Sequence, residues 1–323
     1  MKSVSVVGEG AWGTAIAQLL ADNGHQVTLW CHNEHIAQEI ATERTNQRYM
    51  PGITIHSAIV PTTKFAAVMH NSIIFISTPV QYFRSVLEQI KPYYQPQHLL
   101  VLLNKGIENN TLLFPTQIVS DVCGNDVQSV VVAGPSFAKE VINKGVTAVI
   151  VASNNTQHAQ RIQQLLSNLY MHPFLSADVV GVQAGAALKN VFALAMGIAH
   201  GAGWCANTKA WLMTQSLHEM NIFTTFLGGN AQTTYGLSGV GDLILTATHA
   251  TSKNYQVGVA LGRGKKLQDI LAQTGYIPEG INTVRSVEQL SKHHTISLPI
   301  CHAVYRYISE QGPIDDITKA LNF

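Results

Sequence analysis

The sequence predicts an α/β protein in which a doubly wound sheet is followed by an all-helical C-terminal domain. Three observations support this fold class. Short β-rich runs alternate with helical patterns up to about residue 175, strand patterns then disappear, and a glycine-rich turn joins the first strand to the first helix. Nearly continuous apolar strands that alternate with helices are typical of a parallel sheet covered on both faces.

The individual elements follow from hydrophobic periodicity and turn residues. Strands are predicted at residues 3–7, 26–30, 72–77, 99–103, 129–132, 147–152 and 171–175. The helices between them are predicted at 13–23, 35–45, 80–90, 111–122 and 156–169. Helical segments then follow at 179–199, 207–227, 254–261, 279–293 and 299–309. We therefore expect a first domain at 1–180 and a second at 181–323.

The composition limits the classes of partner. Of 323 residues, 46% are hydrophobic and only 12% are charged, with a formal net charge of +1. Because there is no polybasic tail, neither nucleic acid nor a membrane surface is an expected partner. The early apolar run stops at Gly8, which argues against a signal peptide, and no stretch of about 18 uninterrupted apolar residues predicts a membrane span.

Cysteine and histidine usage gives no sign of a metal site. The four cysteines are far apart and form no CxxC pair, so we expect free thiols in a reducing cytoplasm: Cys31, Cys123, Cys205 and Cys301. The fourteen histidines include no HExxH pattern. We predict no metal.

The glycine-rich turn is the strongest local motif. Gly8, Gly10 and Gly13 form GxGxxG between a predicted strand and a predicted helix, the context of a Rossmann-like dinucleotide site. The first glycine permits the turn, the second lets a pyrophosphate approach the backbone, and the third lets the helix pack on the strand. The helix N-terminus, which includes Ala11 and Trp12, would supply N–H groups to the phosphates. A glycine turn without a ligand is the alternative.

The residues after the second strand bear on the choice between NAD and NADP. An NAD-selective site usually has an acidic residue there for the ribose 2′-hydroxyl, but no acid precedes Glu34. His32, with Arg44 or Arg48, could contact a 2′-phosphate. We therefore expect NADP or NAD as cofactor, with NADPH preferred.

Lys189 is distinctive because of its position. Helical spacing places it on one face with Gly181, Gly185, Ala193 and Gly197. Small neighbours leave room for a ligand and limit solvation of the ammonium group, which would lower its pKa towards that of an acid/base catalyst. A helix-packing seam whose lysine points to solvent explains the spacing equally well.

The order of several short motifs resembles that of NAD(P)-dependent glycerol-3-phosphate dehydrogenases of the bacterial branch, over nearly the whole chain. The motifs are Gly8–Gly13 with Trp12, Asn104-Lys105-Gly106, Gly134-Pro135-Ser136-Phe137-Ala138, Leu188-Lys189-Asn190-Val191, Gly241-Asp242-Leu243 with Thr246, Asn254, and Glu279-Gly280-Ile281-Asn282-Thr283. The resemblance implies reversible reduction of dihydroxyacetone phosphate to sn-glycerol 3-phosphate, which supplies phospholipid synthesis in the cytoplasm. It also implies a homodimer.

The resemblance implies roles for individual residues. Lys189 would donate the proton to the carbonyl oxygen, Lys105 would lie near both nicotinamide and substrate, and Asp242 would complete the catalytic group. The substrate would contact Lys105, Gly134, Ser136, Lys189, Asn190, Asp242, Thr246, Ser252, Lys253 and Asn254. The cofactor would contact Gly8, Gly10, Ala11, Trp12, Gly13, His32, Lys105, Ala138, Lys253, Ile277 and Glu279. The chemistry agrees, because hydride transfer to a ketone leaves an alkoxide that needs a cation and a proton.

The chain also departs from the family pattern. Arginine is usual where this chain has Lys253 and common at the position aligned with Gln215, and His200 replaces a common aspartate. These departures concern substrate affinity rather than the reaction type. Two alternatives stay open: a related two-domain dehydrogenase acting on another hydroxyacid or sugar acid, and a cofactor-binding sensor without catalysis.

Overall fold

The chain separates into two compact units. The structure is a computed structural model and describes residues 2–322. The first unit comprises Met1–Asn104 and Pro115–Ala177, and the second comprises Lys105–Phe114 and Asp178–Phe323. The sequence predicts a single boundary after residue 180. In the structure, the short segment Lys105–Phe114 interrupts the first unit and belongs to the second.

The first unit is built on an eight-stranded sheet with the strand order β3-β2-β1-β4-β5-β6-β7-β8. The strands are β1 Ser3–Val7, β2 Gln26–Trp30, β3 Ile59–Thr62, β4 Ile73–Ile76, β5 Leu99–Leu102, β6 Gln128–Ala133, β7 Thr147–Ala152 and β8 Met171–Ser176. The first six follow the order 3-2-1-4-5-6 of the Rossmann fold. The predicted α/β class with a doubly wound sheet is confirmed.

One strand pair contradicts the prediction of a parallel sheet. β6 and β7 pair antiparallel, with Val132 opposite Val151. The connection between them holds only the five-residue helix Ala138–Ile142. Parallel neighbours are usually joined by a crossover that carries a longer helix, and this connection has none. β7 therefore runs in the opposite direction.

The strand β3 was not predicted. Its four residues include Pro61, which lacks the N–H group that a central strand needs. The structure places β3 at the edge of the sheet, beside β2, where one side of the strand needs no partner. A proline in a short run is thus compatible with a strand only because of the tertiary position of that run.

The helices of the first unit cover both faces of the sheet. They are α1 Ala11–Asp22, α2 Glu34–Thr42, α3 Phe65–Val68, α4 Val80–Ile90, α5 Pro115–Cys123, α6 Ala138–Ile142 and α7 Thr156–Leu166. Sequence periodicity located five of them and missed the short α3 and α6. The helix predicted at 111–122 begins only at Pro115, because the residues before it belong to the other unit.

The second unit contains helices and no strand among its described residues, as predicted. Its helices are α8 Val179–Gly201, α9 Ala206–Phe226, α10 Ala231–Thr234, α11 Asp242–Thr248, α12 Lys253–Gly262, α13 Leu267–Thr274, α14 Glu279–His294, α15 Pro299–Ser309 and α16 Asp315–Lys319. A π-helical turn, Leu237–Gly241, leads directly into α11. The predicted bounds of the long helices agree with these to within two residues.

Helix α8 is the centre of this unit. By length and composition alone it could cross a membrane, but 89% of its most apolar 18-residue stretch is buried within the protein. From Gly181 to Ala199 every residue is buried. These properties are those of the central helix of a helical core, which α9, α11, α12 and α14 surround.

Close backbone contacts explain the small residues of α8. A Cβ atom on Gly197 would lie 2.2 Å from the carbonyl oxygen of Tyr255, and one on Gly258 would lie 2.3 Å from that of Leu194. Helices α8 and α12 therefore pack backbone to backbone. The small residues of α8 thus form a packing seam, as one interpretation of the sequence expected, but Lys189 on the same helix is buried and does not point to solvent.

Candidate functional site

The glycine-rich turn of the first unit has the geometry of a dinucleotide site. Gly8 has φ +111°, a conformation that side chains rarely adopt. A Cβ atom on Gly13 would lie 1.9 Å from the carbonyl oxygen of Gly8, so α1 packs directly on the turn. A Cβ atom on Gly10 would meet nothing within 4 Å. These are the three properties that a pyrophosphate loop requires.

Two further observations fit a bound dinucleotide. Helix α1 begins after Gly10 without a side-chain cap, which leaves its first N–H groups for a phosphate. The indole N–H of Trp12 is buried and has no hydrogen-bond partner among residues 2–322. The residues of this turn thus fit the phosphates of NAD or NADP.

The acidic residue within the glycine turn was missed by the sequence analysis. Glu9 is 7% exposed, and its carboxylate accepts hydrogen bonds from the backbone N–H groups of His32 (3.0 Å) and Asn33 (3.2 Å). A carboxylate therefore lies at the end of β2 after all. The only signal in the sequence was an acidic residue between the first two glycines.

Of the cations expected near a 2′-phosphate, one has a structural role. Arg44 donates to the carbonyl oxygens of Ser57 (2.6 Å) and Ile59 (2.8 Å), so it braces the start of β3. The Arg48 guanidinium lies 5.3 Å from the centre of the Tyr49 ring. His32 is exposed beside Trp30.

The predicted catalytic residues come together in the second unit. Lys189 Nζ lies 2.7 Å from Asp242 Oδ1, and Lys105 Nζ lies 2.7 Å from Asp242 Oδ2. Lys189 also donates to the hydroxyl of Thr246 at 2.9 Å. One carboxylate thus orients two ammonium groups. Two of the three Lys189 N–H groups have these partners, and the part of the chain that the structure describes provides none for the third.

Burial and charge determine the protonation of this cluster. Lys189 is 6% exposed and Asp242 is 1% exposed. Burial lowers the pKa of Lys189 to about 8, with Asp242 opposing the shift and Lys105 adding to it. Burial by itself would raise the pKa of Asp242, but the two lysines together outweigh it and lower that pKa. The cluster therefore combines a carboxylate with a lysine that exchanges its proton near neutral pH.

The π-helical turn brings Asp242 to Lys189. A Cβ atom on Gly185, one helical turn before Lys189, would lie 2.7 Å from the carbonyl oxygen of Ser238 in the π-helical turn. This close approach places the start of α11 beside α8. Such turns occur often at functional sites. Gly239 is also tightly packed, because a Cβ atom on it would lie 2.1 Å from the carbonyl oxygen of Thr234.

The remaining predicted substrate residues of this unit, Asn190, Ser252, Lys253 and Asn254, make different kinds of contact. Asn254 donates to Asn190 Oδ1 (3.0 Å) and accepts from the N–H of Gly280 (2.9 Å), which links α12, α8 and α14. Ser252 instead caps α12 by accepting from the N–H of Tyr255 (3.3 Å). The Lys253 ammonium lies 4.4 Å from the centre of the Tyr276 ring, and burial lowers its pKa.

The other predicted residues lie elsewhere in their own units. In the first unit, the Ser136 hydroxyl donates to the carbonyl oxygen of Gly134 (2.9 Å), and Ala138 begins α6. In the second unit, Ile277 is 57% exposed and Glu279 is the first residue of α14. Their roles as binding residues stay predictions.

Two departures from the family pattern have structural partners. His200 Nδ1 lies 2.8 Å from the Tyr255 hydroxyl, and Gln215 donates to the carbonyl oxygen of Leu321 at 2.9 Å. Both residues connect neighbouring segments of the helical unit. No group of three or more His, Cys, Asp or Glu side chains able to hold a metal occurs within residues 2–322.

Comparison with known proteins identifies the family. The sequence model of the NAD-dependent glycerol-3-phosphate dehydrogenase N-terminus matches residues 3–159, and that of the C-terminus matches residues 178–319. The chain belongs to this family. It is therefore an oxidoreductase of a family that uses NAD or NADP.

Individual relatives agree over the full length. The chain is 37% identical over 324 residues to a Bacillus pumilus protein named glycerol-3-phosphate dehydrogenase (NAD(P)+), covering 99% of this chain and 94% of that protein. The chain is also similar to the crystal structure of glycerol-3-phosphate dehydrogenase from Coxiella burnetii, with a TM-score of 0.93 and 30% sequence identity. The match covers 99% of this chain and 97% of that one. The yeast enzyme, 24% identical with a TM-score of 0.86 over 100% and 99%, shows the same fold.

The buried cluster predicts a large loss of stability on removal of its carboxylate. Asp242→Asn leaves two ammonium groups near each other without their anion, and breaking a buried ion pair costs about 3–5 kcal/mol. We expect the free energy of unfolding, measured by denaturant titration, to fall by about that amount. Glu310→Gln removes an exposed partner of Arg306 and serves as the control, with a loss of about 0–1 kcal/mol. Equal losses in the two variants would contradict the electrostatic account.

Proposed function

We propose that the chain catalyses the reversible reduction of dihydroxyacetone phosphate to sn-glycerol 3-phosphate, with Lys189 as the proton donor. The observation that carries this proposal is the buried Lys189 ammonium, oriented by Asp242 and Thr246 with one N–H unused in the described structure. The full-length relatives bear the name of this activity.

The residues of the cluster suit each requirement of ketone reduction. A bound reduced nicotinamide would supply the hydride for the carbonyl carbon. The developing alkoxide needs a nearby positive charge, and the Lys189 and Lys105 ammonium groups that contact Asp242 would provide it. Lys189 transfers a proton to the alkoxide oxygen and becomes neutral, a change that its lowered pKa makes inexpensive.

Asp242 and Thr246 act on the orientation of Lys189. The carboxylate and the hydroxyl hold two N–H groups, so the third direction of the ammonium is defined before substrate binds. Orientation of a proton donor in advance avoids reorganisation during the reaction. In the oxidation direction the neutral amine of Lys189 would accept the hydroxyl proton of sn-glycerol 3-phosphate.

We further propose a cytoplasmic homodimer whose product serves phospholipid synthesis. The support for the compartment is that Cys31, Cys123, Cys205 and Cys301 are all free thiols. The dimer and the biosynthetic role rest on the family resemblance. Sedimentation of the purified protein tests the dimer, and lipid labelling in cells depleted of the protein tests the role.

The activity and the proton donor are tested together. Wild-type protein should consume NADH or NADPH with dihydroxyacetone phosphate as sole substrate, and a panel of ketoacids should give no comparable rate. Lys189→Met should lower kcat by at least ~100-fold, because a positioned acid contributes about that much, while cofactor affinity measured by fluorescence stays the same. The exposed Lys266→Met is the matched control. A rate for Lys189→Met close to that of the control would remove Lys189 from the mechanism.

The pH dependence follows from the lowered pKa of Lys189. The acid needed for reduction is the protonated lysine, so kcat/KM for reduction should be highest below about pH 8 and fall as pH rises through that value. For oxidation the neutral amine is needed, so kcat/KM should rise over the same range. Lys105→Gln removes the neighbouring charge that lowers this pKa, and the inflection should move to higher pH. An inflection that stays in place would assign the titration to another group.

Recognition of the substrate phosphate is proposed for Lys253. Lysine provides a point charge on a flexible stem, where arginine would offer two parallel hydrogen bonds to a phosphate. Lys253→Ala should raise KM for dihydroxyacetone phosphate about ten- to a hundredfold, the scale of a hydrogen bond to a charged group. Lys253→Arg should lower KM with kcat similar. If neither variant changes KM by more than about twofold, Lys253 only packs on Tyr276 and binds no phosphate.

A further inference from the structure

Glu9 connects the two loops that follow the first two strands. It lies in the turn after β1, yet both of its carboxylate oxygens accept N–H groups from the loop after β2, at His32 (3.0 Å) and Asn33 (3.2 Å). Strands β1 and β2 are parallel neighbours with Val7 opposite Trp30, so their carboxyl ends are level. A side chain from the end of β1 therefore reaches the end of β2.

The backbone of Glu9 is held in place by a buried network. Its carbonyl oxygen accepts from the Thr14 hydroxyl (2.9 Å) and from Asn46 Nδ2 (2.9 Å), and Asn46 also donates to the Thr14 hydroxyl (3.0 Å). Thr14 and Asn46 are fully buried. The position of the carboxylate is thus set by the fold rather than by a mobile surface side chain.

The end of β2 is the place where Rossmann proteins distinguish their two cofactors. An acidic side chain there accepts a hydrogen bond from the 2′-hydroxyl of the adenine ribose and repels a 2′-phosphate. Each oxygen of Glu9 accepts one backbone N–H, and a carboxylate oxygen has a second lone pair for a hydroxyl. The same two N–H groups would otherwise be donors for a phosphate.

We propose that Glu9 is the specificity-determining residue for the adenosine half of the cofactor and selects NAD(H) over NADP(H). The expectation of an NADPH preference relied on the lack of an acid after β2 in the sequence. The structure provides that acid from the turn after β1. In addition, the Arg44 guanidinium, one of the expected phosphate ligands, is occupied by the carbonyl oxygens of Ser57 and Ile59.

This inference rests on the proposed use of a nicotinamide cofactor, and a binding experiment separates the two. The dissociation constants of the wild-type protein are measured by calorimetry for NADH and NADPH, and for adenosine 5′-monophosphate and adenosine 2′,5′-bisphosphate. The two adenosine compounds differ only in the 2′-phosphate and undergo no hydride transfer. We expect the ligand without the 2′-phosphate to bind at least about tenfold more tightly in each pair.

Substitution then assigns the preference to the residue. Glu9→Gln keeps the size of the side chain and removes its charge, and it should reduce the ratio of the NADPH and NADH dissociation constants by about tenfold or more. Glu34→Gln is the matched control, because it removes an exposed carboxylate from the first turn of α2 without changing the buried one. The control should leave the ratio as in wild type. Circular dichroism shows that each variant is folded.

Each outcome decides the proposal. Tighter binding of NADPH and the bisphosphate by wild type, or equal binding of the members of each pair, overturns it, and this measurement needs no variant. An equal change in both dissociation constants in Glu9→Gln, or a shift of the ratio in Glu34→Gln alone, also overturns it and makes Glu9 a structural bridge between loops. Binding of none of the four ligands overturns the cofactor function as well.

Discussion

The buried carboxylate of Asp242 is the interaction on which the chemical cluster depends. It joins the segment Lys105–Phe114, helix α8 and helix α11, because each of the first two provides a lysine at 2.7 Å and the third carries the carboxylate. A buried ammonium without a partner is strongly disfavoured, so the buried Lys189 depends on this carboxylate. Two ammonium groups at this position suit an anionic substrate and a developing alkoxide.

The second constraint is the space that small residues provide. Helix α8 contacts the backbone of α12 at Gly197 and that of the π-helical turn at Gly185. A larger side chain at Gly197 would separate α8 from α12, and one at Gly185 would push away the π-helical turn that leads into Asp242. The small residues do form a packing seam, but Lys189 is 6% exposed and does not point to solvent, and its catalytic role stays a prediction. The seam is what buries the lysine, and burial is what lowers its pKa.

Much of the fold could be predicted because the relevant signals are local. Strongly periodic segments such as α14 and α15, and apolar strands such as β1 and β2, appeared in the sequence close to their observed bounds. The edge strand β3 and the direction of β7 could not be predicted in the same way. A proline in a short run is acceptable only at an edge, and the direction of β7 depends on the path that the connection from β6 takes in the folded protein.

The sequence by itself determined the α/β class with a helical second domain, the glycine turn and the position of Lys189, since spacing along one helix or at the end of one strand encodes them. The roles of Lys105 and Asp242 were implied only by the family resemblance. The tertiary structure alone decided which groups meet. Lys105 and Lys189 are far from Asp242 in the chain, and both contact its carboxylate only in the folded protein. Glu9 is separated from Asn33 by 24 positions and lies beside it because two parallel strands end at the same edge of a sheet. Electrostatic environment depends on distance in space, which periodicity along a chain does not contain.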